Sequence, residues 1–291
     1  MGLNKQIWVK QIQENFYPSD NFLKPVMDYS AFVDNDMIHF ASAGIDPKVL
    51  INNNTYPINI LKRTDEDCPI ELDLFETENT LVRRPEEIEK AYNKLESVIM
   101  QHRNTLRKAV SSKAIHAFAP SADSLYTPVI QTSGATKDGR KRMTFEDLLN
   151  LKERFDNALI PLEERYIVLH PKHITDLLLE DVQLFKDLTN IKDGVPFRFA
   201  GFGIYQFPIM PEYSLSGGKL SKMPYSQETT GGLFASVAFY AKEVMKADGD
   251  VHMYARMDDP AERATIVGFD KRFIAMPIRN KGIGAIVSAS V

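Results

Sequence analysis

The sequence has little of what would tie a chain to a redox, metal or membrane role. A single cysteine, Cys68, stands among 291 residues. One cysteine excludes an intramolecular disulfide framework and any multi-cysteine metal centre. There is no basic excess either: 39 acidic against 35 basic side chains give a formal net charge of -4. A protein that grips phosphates usually carries surplus Lys and Arg, because each contact neutralises a phosphate charge. The balance here argues against nucleic-acid binding as the main task. Long hydrophobic runs are missing as well. The uncharged stretch from Gly231 to Ala241 falls far short of the ~20 residues that span a bilayer. The opening segment, from Met1 to Lys10, lacks the charged-then-apolar order of a secretory leader. No internal repeat and no low-complexity tract breaks the chain.

What is present is ordinary globular material. Hydrophobic residues make up 44% and charged residues 25%, so the chain can bury a sizeable core and wholesale disorder is excluded. Met1 to Ile45 scatters single aromatics, Trp8 and Phe16 among them, without a helical period, as an extended arm would. Val49 to Arg84 reads as strand, turn, strand. Ile58 and Ile60 lie in the first strand, and Ile70, Leu72 and Leu74 alternate with acids in the second. Between them Thr64 to Pro69, with Asp65, Glu66 and Asp67, is expected to be a charged hairpin tip. Pro85 to Val110 has the strongest helical signature. Pro85 suits a first turn, three glutamates follow, and Ile88, Tyr92, Leu95, Ile99, His102 and Leu106 form one stripe.

Beyond this helix the signals are shorter. Ser121 to Arg142 and Tyr213 to Thr230 read as loops. Thr144 with Asp147 marks a capping-box start for a second helix. Tyr166 to Leu169 reads as a strand, Ile174 to Leu188 as a helix, and Val195 to Ile209 as a strand pair or a bulged strand. Leu233 to Met245 reads as a helix. Val251 to Met257, Ala264 to Phe269 and Phe273 to Ile278 are strand-like, with Asp258, Asp259 and Pro260 forming a turn.

Few residues invite chemistry. His170 and His173 could ligate zinc and so serve a metal-dependent hydrolase. But Pro171 lies between them, and no His-Glu-x-x-His pattern surrounds them. A strand-to-helix corner with hydrogen-bonded histidines explains the pair better. Gly201-Phe202-Gly203 lacks the third glycine and the helix of a dinucleotide site, and Ser216 to Lys219 lacks the spacing of a phosphate loop. Asp258 and Asp259, beside a proline, fit a solvated turn better than an acid/base pair. Cys68, read at a hairpin tip beside three acids, would be a blunted nucleophile. No cofactor motif and no catalytic set emerges. The chain has reach instead: an arm, a long hairpin, a rod helix and broad loops. Such parts bury little surface at home and need neighbouring subunits to supply contacts.

In order and wording the chain resembles major capsid proteins of tailed bacteriophages of the Hong Kong 97 type. Three segments carry the likeness. They are Tyr166 to Leu178, then Gly194 to Met210, then Phe234 to Arg279 with its Val251 to Met257 and Phe273 to Arg279 blocks. The resemblance implies an α+β fold. It divides the chain into an N-terminal arm (1–48), an extended hairpin or E-loop (49–84), a peripheral domain (85–116 and 241–274) with its spine helix at 85–110, and an axial domain (117–240 and 275–291).

The function it implies is structural and non-enzymatic. The chain would assemble into pentamers and hexamers that close an icosahedral head around packaged double-stranded DNA. It would be made in the bacterial cytoplasm and end in the virion, with separate scaffolding, portal and decoration proteins as partners. An encapsulin-like nanocompartment shell shares the fold and is the alternative. Trp8, Phe16, Asp65, Glu66, Asp67, Arg83 and Arg84 are the expected inter-subunit contacts. The chain starts at the arm, with no long scaffolding segment ahead of it. The mature subunit is therefore expected to begin at or near Met1 or Gly2.

Overall fold

The structure, a computed structural model, describes residues 22–34, 36–42, 66–83, 94–180, 198–225 and 233–290. Two sheets and three helices account for most of them, an α+β arrangement.

The first sheet is built on a long antiparallel pair, β15 (Val244–Asp259) and β16 (Ala264–Pro277). The sequence reading split β16 at Asp270 to Arg272, because two charged residues and Asp270 interrupt its alternation. The strand continues because Lys271 is buried in an ion pair with Asp248, so its charge is met inside the sheet. β1 (Met27–Asp28) lies parallel to β15, and β4 (Asp73–Glu76) and β5 (Thr80–Arg83) both pair with β16. Between β4 and β5 the chain detours. Thr77 donates its N–H to the Phe269 carbonyl (2.8 Å), while its hydroxyl accepts from Phe269 N–H (3.0 Å), so the ladder stays satisfied across the break.

A separate ribbon pairs β2 (Met37–Ser42) with β3 (Glu66–Glu71). This corrects the expected hairpin. Its inner strand is Met37–Ser42, which had been assigned to the arm, and the acidic segment is a strand and not a tip. The residues that connect the two strands, 43–65, lie outside the described residues. Pro69 pairs opposite His39. A two-stranded ribbon tolerates proline because each strand has a free edge.

The second sheet has eight strands. Its centre is β9 (Arg165–Leu169), β14 (Leu233–Tyr240) and β17 (Ile283–Val287). β11 (Phe202–Gln206) and β10 (Arg198–Phe199) extend it past β9, and β6 (Val129–Gln131) borders β17. β12 (Glu212–Ser216) and β13 (Lys219–Lys222) branch from the start of β14. A small hairpin, β7 (Thr136–Lys137) and β8 (Arg140–Lys141), stands beside them. The expected helix at Leu233 to Met245 is thus the strand β14. From Ala235 to Tyr240 every residue is buried, so the strand is covered on both faces. Such a strand reads as a continuous apolar run with no alternation to betray it. Likewise both expected loops contain hairpins, whose tight turns use left-handed residues: Asp138 and Gly139 (φ 52° and 73°) in the first, Gly217 and Gly218 (φ 56° and 76°) in the second.

Helix α1 (Lys94–Phe118) is the rod. The expected stop at Val110 is overrun by two turns, since Val110, Ala114, Ile115 and Phe118 extend the buried stripe past Ser111 and Ser112. Residues 84–93, which hold the expected start, lie outside the described residues. One part of α1 packs on the first sheet, where His102 meets Phe269 (5.2 Å between rings). Its end packs on the second, where Phe118 meets Phe239 (5.3 Å). The helix is the common element of both layers. Helix α2 (Phe145–Asn157) begins with the expected capping box, Thr144 with Asp147. Leu151 and Phe155 of α2 lie so close to β17 that a Cβ on Gly284 would stand 2.7 Å from the Phe155 ring. Helix α3 (Pro171–Glu180) lies on the same face of the sheet, sharing its core through Leu177.

Candidate functional site

His170 and His173 sit where β9 turns into α3. Pro171 opens the helix at a position where its missing N–H costs nothing. His173 is fully buried, its Nδ1 2.6 Å from the Ser236 hydroxyl of β14 and its Nε2 2.8 Å from the Ser288 hydroxyl. A neutral imidazole has one donor and one acceptor nitrogen, and a hydroxyl can complement either. Burial lowers the His173 pKa to about 3, which keeps the ring neutral. His170 accepts from Lys172 N–H through Nδ1 (3.1 Å) and stacks on Phe234 at 4.2 Å. Burial, then the charges of Lys172 and Arg140, lower it to about 4. Both nitrogens of His173 are spent on serines. The pair fastens α3 to β14 and β17 as the strand-to-helix corner the sequence favoured.

The other motifs also resolve into backbone geometry. Gly201 follows Ala200 in the β10–β11 turn, both at positive φ. Asp259 accepts from Ala261 N–H (2.8 Å) and Glu262 N–H (3.3 Å) and pairs with Arg256 (2.7 Å), shaping the β15–β16 turn. Cys68 stands in mid-strand opposite Phe40, not at a tip. Of the expected contact residues, Trp8, Phe16, Asp65 and Arg84 lie outside the described residues. Glu66 and Asp67 pair opposite Ser42 and Ala41, and Arg83 is exposed at the end of β5. The structure does not gather these residues into one site.

It does gather two others that sequence reasoning missed, at opposite ends of the eight-stranded layer. β9 and β14 run antiparallel, with Arg165 opposite Tyr240 and Val168 opposite Val237. At the Arg165 end the α2–β9 loop wraps the fully buried Arg165 guanidinium. That group donates to Pro161 O (2.8 Å) and to Ile160 O, and pairs with Asp156 (2.7 Å). Held this way, the loop turns Leu159 and Leu162 outward, 89% and 57% exposed. At the other end a cavity of about 440 Å3 opens between the β7–β8 turn, α3 and the start of β14. Leu233 and Phe234 line it with Lys137, Arg140 and Lys172. Lys172 Nζ stands 4.9 Å from the Phe234 ring centre, and Arg140 is fixed by two hydrogen bonds to Asp176 (2.5 and 3.0 Å). The sequence could not show this, because the lining comes from four separate segments.

No family model and no curated relative matches the sequence. Solved structures do. The capsid of the cyanophage P-SCSP1u is similar at a TM-score of 0.64 and 14% identity, over 93% of this chain and 88% of that one. The capsid of Ralstonia phage GP4 gives 0.64 at 9% identity, over 92% and 87%. The SrpI encapsulin complex of Synechococcus elongatus PCC 7942 gives 0.57 at 10%, over 94% and 88%. Identity this low is informative about fold alone. Nearly end-to-end coverage of both chains means that the architecture as a whole is shared, and the chain has the Hong Kong 97-type capsid fold.

Proposed function

We propose that this chain is the major capsid subunit of a tailed bacteriophage. In this reading it assembles into pentamers and hexamers that close an icosahedral head around packaged double-stranded DNA. The observation that supports it best is the likeness to phage capsid subunits over 93% and 92% of this chain. The role is structural and not enzymatic, and its place is the virion, after synthesis in the bacterial cytoplasm. Separate scaffolding, portal and decoration proteins would be its partners. Arg83, exposed at the end of β5, and the β2–β3 ribbon carrying Glu66 and Asp67 are proposed to reach neighbouring subunits.

The likeness to an encapsulin supports a second reading, a protein nanocompartment. Proteomics and nucleic-acid analysis of particles from the native source separate the two. The phage reading expects this chain as the most abundant protein of particles that also hold double-stranded DNA and a portal. Particles free of DNA that enclose a cargo enzyme would overturn it in favour of the compartment.

A further inference from the structure

We propose that the two ends of the eight-stranded layer are the halves of one contact between copies of this chain: the Leu159–Leu162 loop of one copy seats in the Lys172 pocket of the next. The proposal rests on the shell reading and names the partner surface it requires.

The loop is a poor structure for an isolated subunit. Leu159 follows the α2 C-cap at φ 58°, a left-handed position where glycine is usual and a leucine side chain is strained. The same residue is 89% exposed. Water and backbone both disfavour a leucine there, so its fitness lies in something that covers it. Nor is the exposure a matter of slack. Arg165 ties Asp156, Ile160 and Pro161 to one guanidinium, so the loop is preorganised, and a preorganised knob loses little freedom on docking.

The pocket has the complementary character. Its wall is Leu233 and Phe234, and its rim carries Lys137, Arg140 and Lys172 with the single exposed acid Asp138, a positive balance once Arg140 is matched by Asp176. Arg140 already has Asp176, which leaves the two lysines to meet an incoming acid. The loop brings one. Glu163 is exposed directly after Leu162; Lys242 pairs with Glu164 at 2.9 Å and interacts with Glu163 only more weakly. Apolar knob and carboxylate thus meet apolar floor and ammonium.

Geometry supports a second copy as the occupant. Knob and pocket lie at opposite ends of β9, about 16 Å apart at ~3.3 Å per residue, so one subunit cannot satisfy itself. A head-to-tail contact of this kind closes into rings when the rotation permits.

Charge exchange tests it. Glu163→Lys and Lys172→Glu should each lower the assembled fraction about tenfold, because like charges then face each other. The double variant should return to within about twofold of wild type, since the pair is restored in reverse. Circular dichroism melts of all three should match wild type, as both residues are exposed. In a Cys68→Ser background, Leu162→Cys with Lys172→Cys should give an oxidised ladder of linked copies that neither single cysteine gives. Wild-type shells with fully assembling single variants would overturn the contact and leave the shell reading standing. A double variant that stays unassembled, or an absent ladder, would also overturn it. Should Lys172→Glu abolish binding of inorganic phosphate by subunits while assembly proceeds, the pocket is an anion site and the contact is wrong. Wild-type protein that forms neither rings nor shells would defeat the shell reading and this contact together.

Discussion

His173 shows how one residue can look functional in sequence and prove structural in space. Its two nitrogens hold Ser236 and Ser288, so His173→Leu would strand the buried Ser288 hydroxyl and leave Ser236 only the His170 N–H, at a cost of about 1–3 kcal/mol. The residue also sets a pH dependence. Folded, His173 titrates at about 3 and His170 at about 4, both held down chiefly by burial, against 6.5 unfolded. Below pH 6.5 the unfolded chain therefore binds more protons than the folded one, and stability falls with falling pH. The contribution is complete above about pH 6.5 and is lost as the pH drops through 4 towards 3. Burial also lowers His102 and His116, which act with the same sign. Calorimetric melts from pH 7.5 to 4 should show a declining midpoint, and His173→Leu should flatten part of that slope. An unchanged slope in the variant would remove His173 from the account. Arg165 is the other residue of this class. Its replacement by Met leaves two carbonyls without their donor and Asp156 with Lys152 alone, and should destabilise by about 3 kcal/mol in chemical denaturation.

Elements were legible where their signals were local. The Thr144–Asp147 box announced α2, and the apolar stripe of α1 was visible from Leu95 to Leu106. What failed depended on what lies across the space from a segment. β14 looked helical because both its faces are covered, a fact supplied by α1 on one side and α2 on the other. Glu66 to Pro69 looked like part of a tip because their partner, Met37–Ser42, is far away in sequence and carries no strict alternation. The pocket was invisible for the same reason. The end of α1 was also set by a distant residue. Lys222 of β13 reaches the His116 carbonyl (3.0 Å) and the Ala119 carbonyl (2.6 Å), meeting the negative end of the helix. Lys222→Met should cost about 1 kcal/mol and lower the melting midpoint by about 2–4 °C. Faster amide exchange over the last turn of α1, with little change over its middle, is the accompanying signature. Uniform protection in the variant would show that the cap contributes nothing.

For the whole molecule, charge and shape point the same way. A subunit with a net charge of -4 has no phosphate-gripping surplus, and a coat that confines DNA needs none. Isolated subunits are therefore expected to bind double-stranded DNA weakly, with a shallow salt dependence in filter binding. A steep log–log slope of several would contradict this. Tyr254 and Met257 on β15 and the preorganised leucine loop expose apolar surface that a lone subunit does not cover. In the proposed reading shell formation gives them a common purpose, and it would be directly visible. Electron cryomicroscopy of the purified chain under assembly conditions tests it. The account predicts closed icosahedral particles in which the eight-stranded layers surround the five-fold and local six-fold axes. A chain that stays monomeric across protein concentration, salt and crowding agents, or that builds only irregular aggregates, would contradict it.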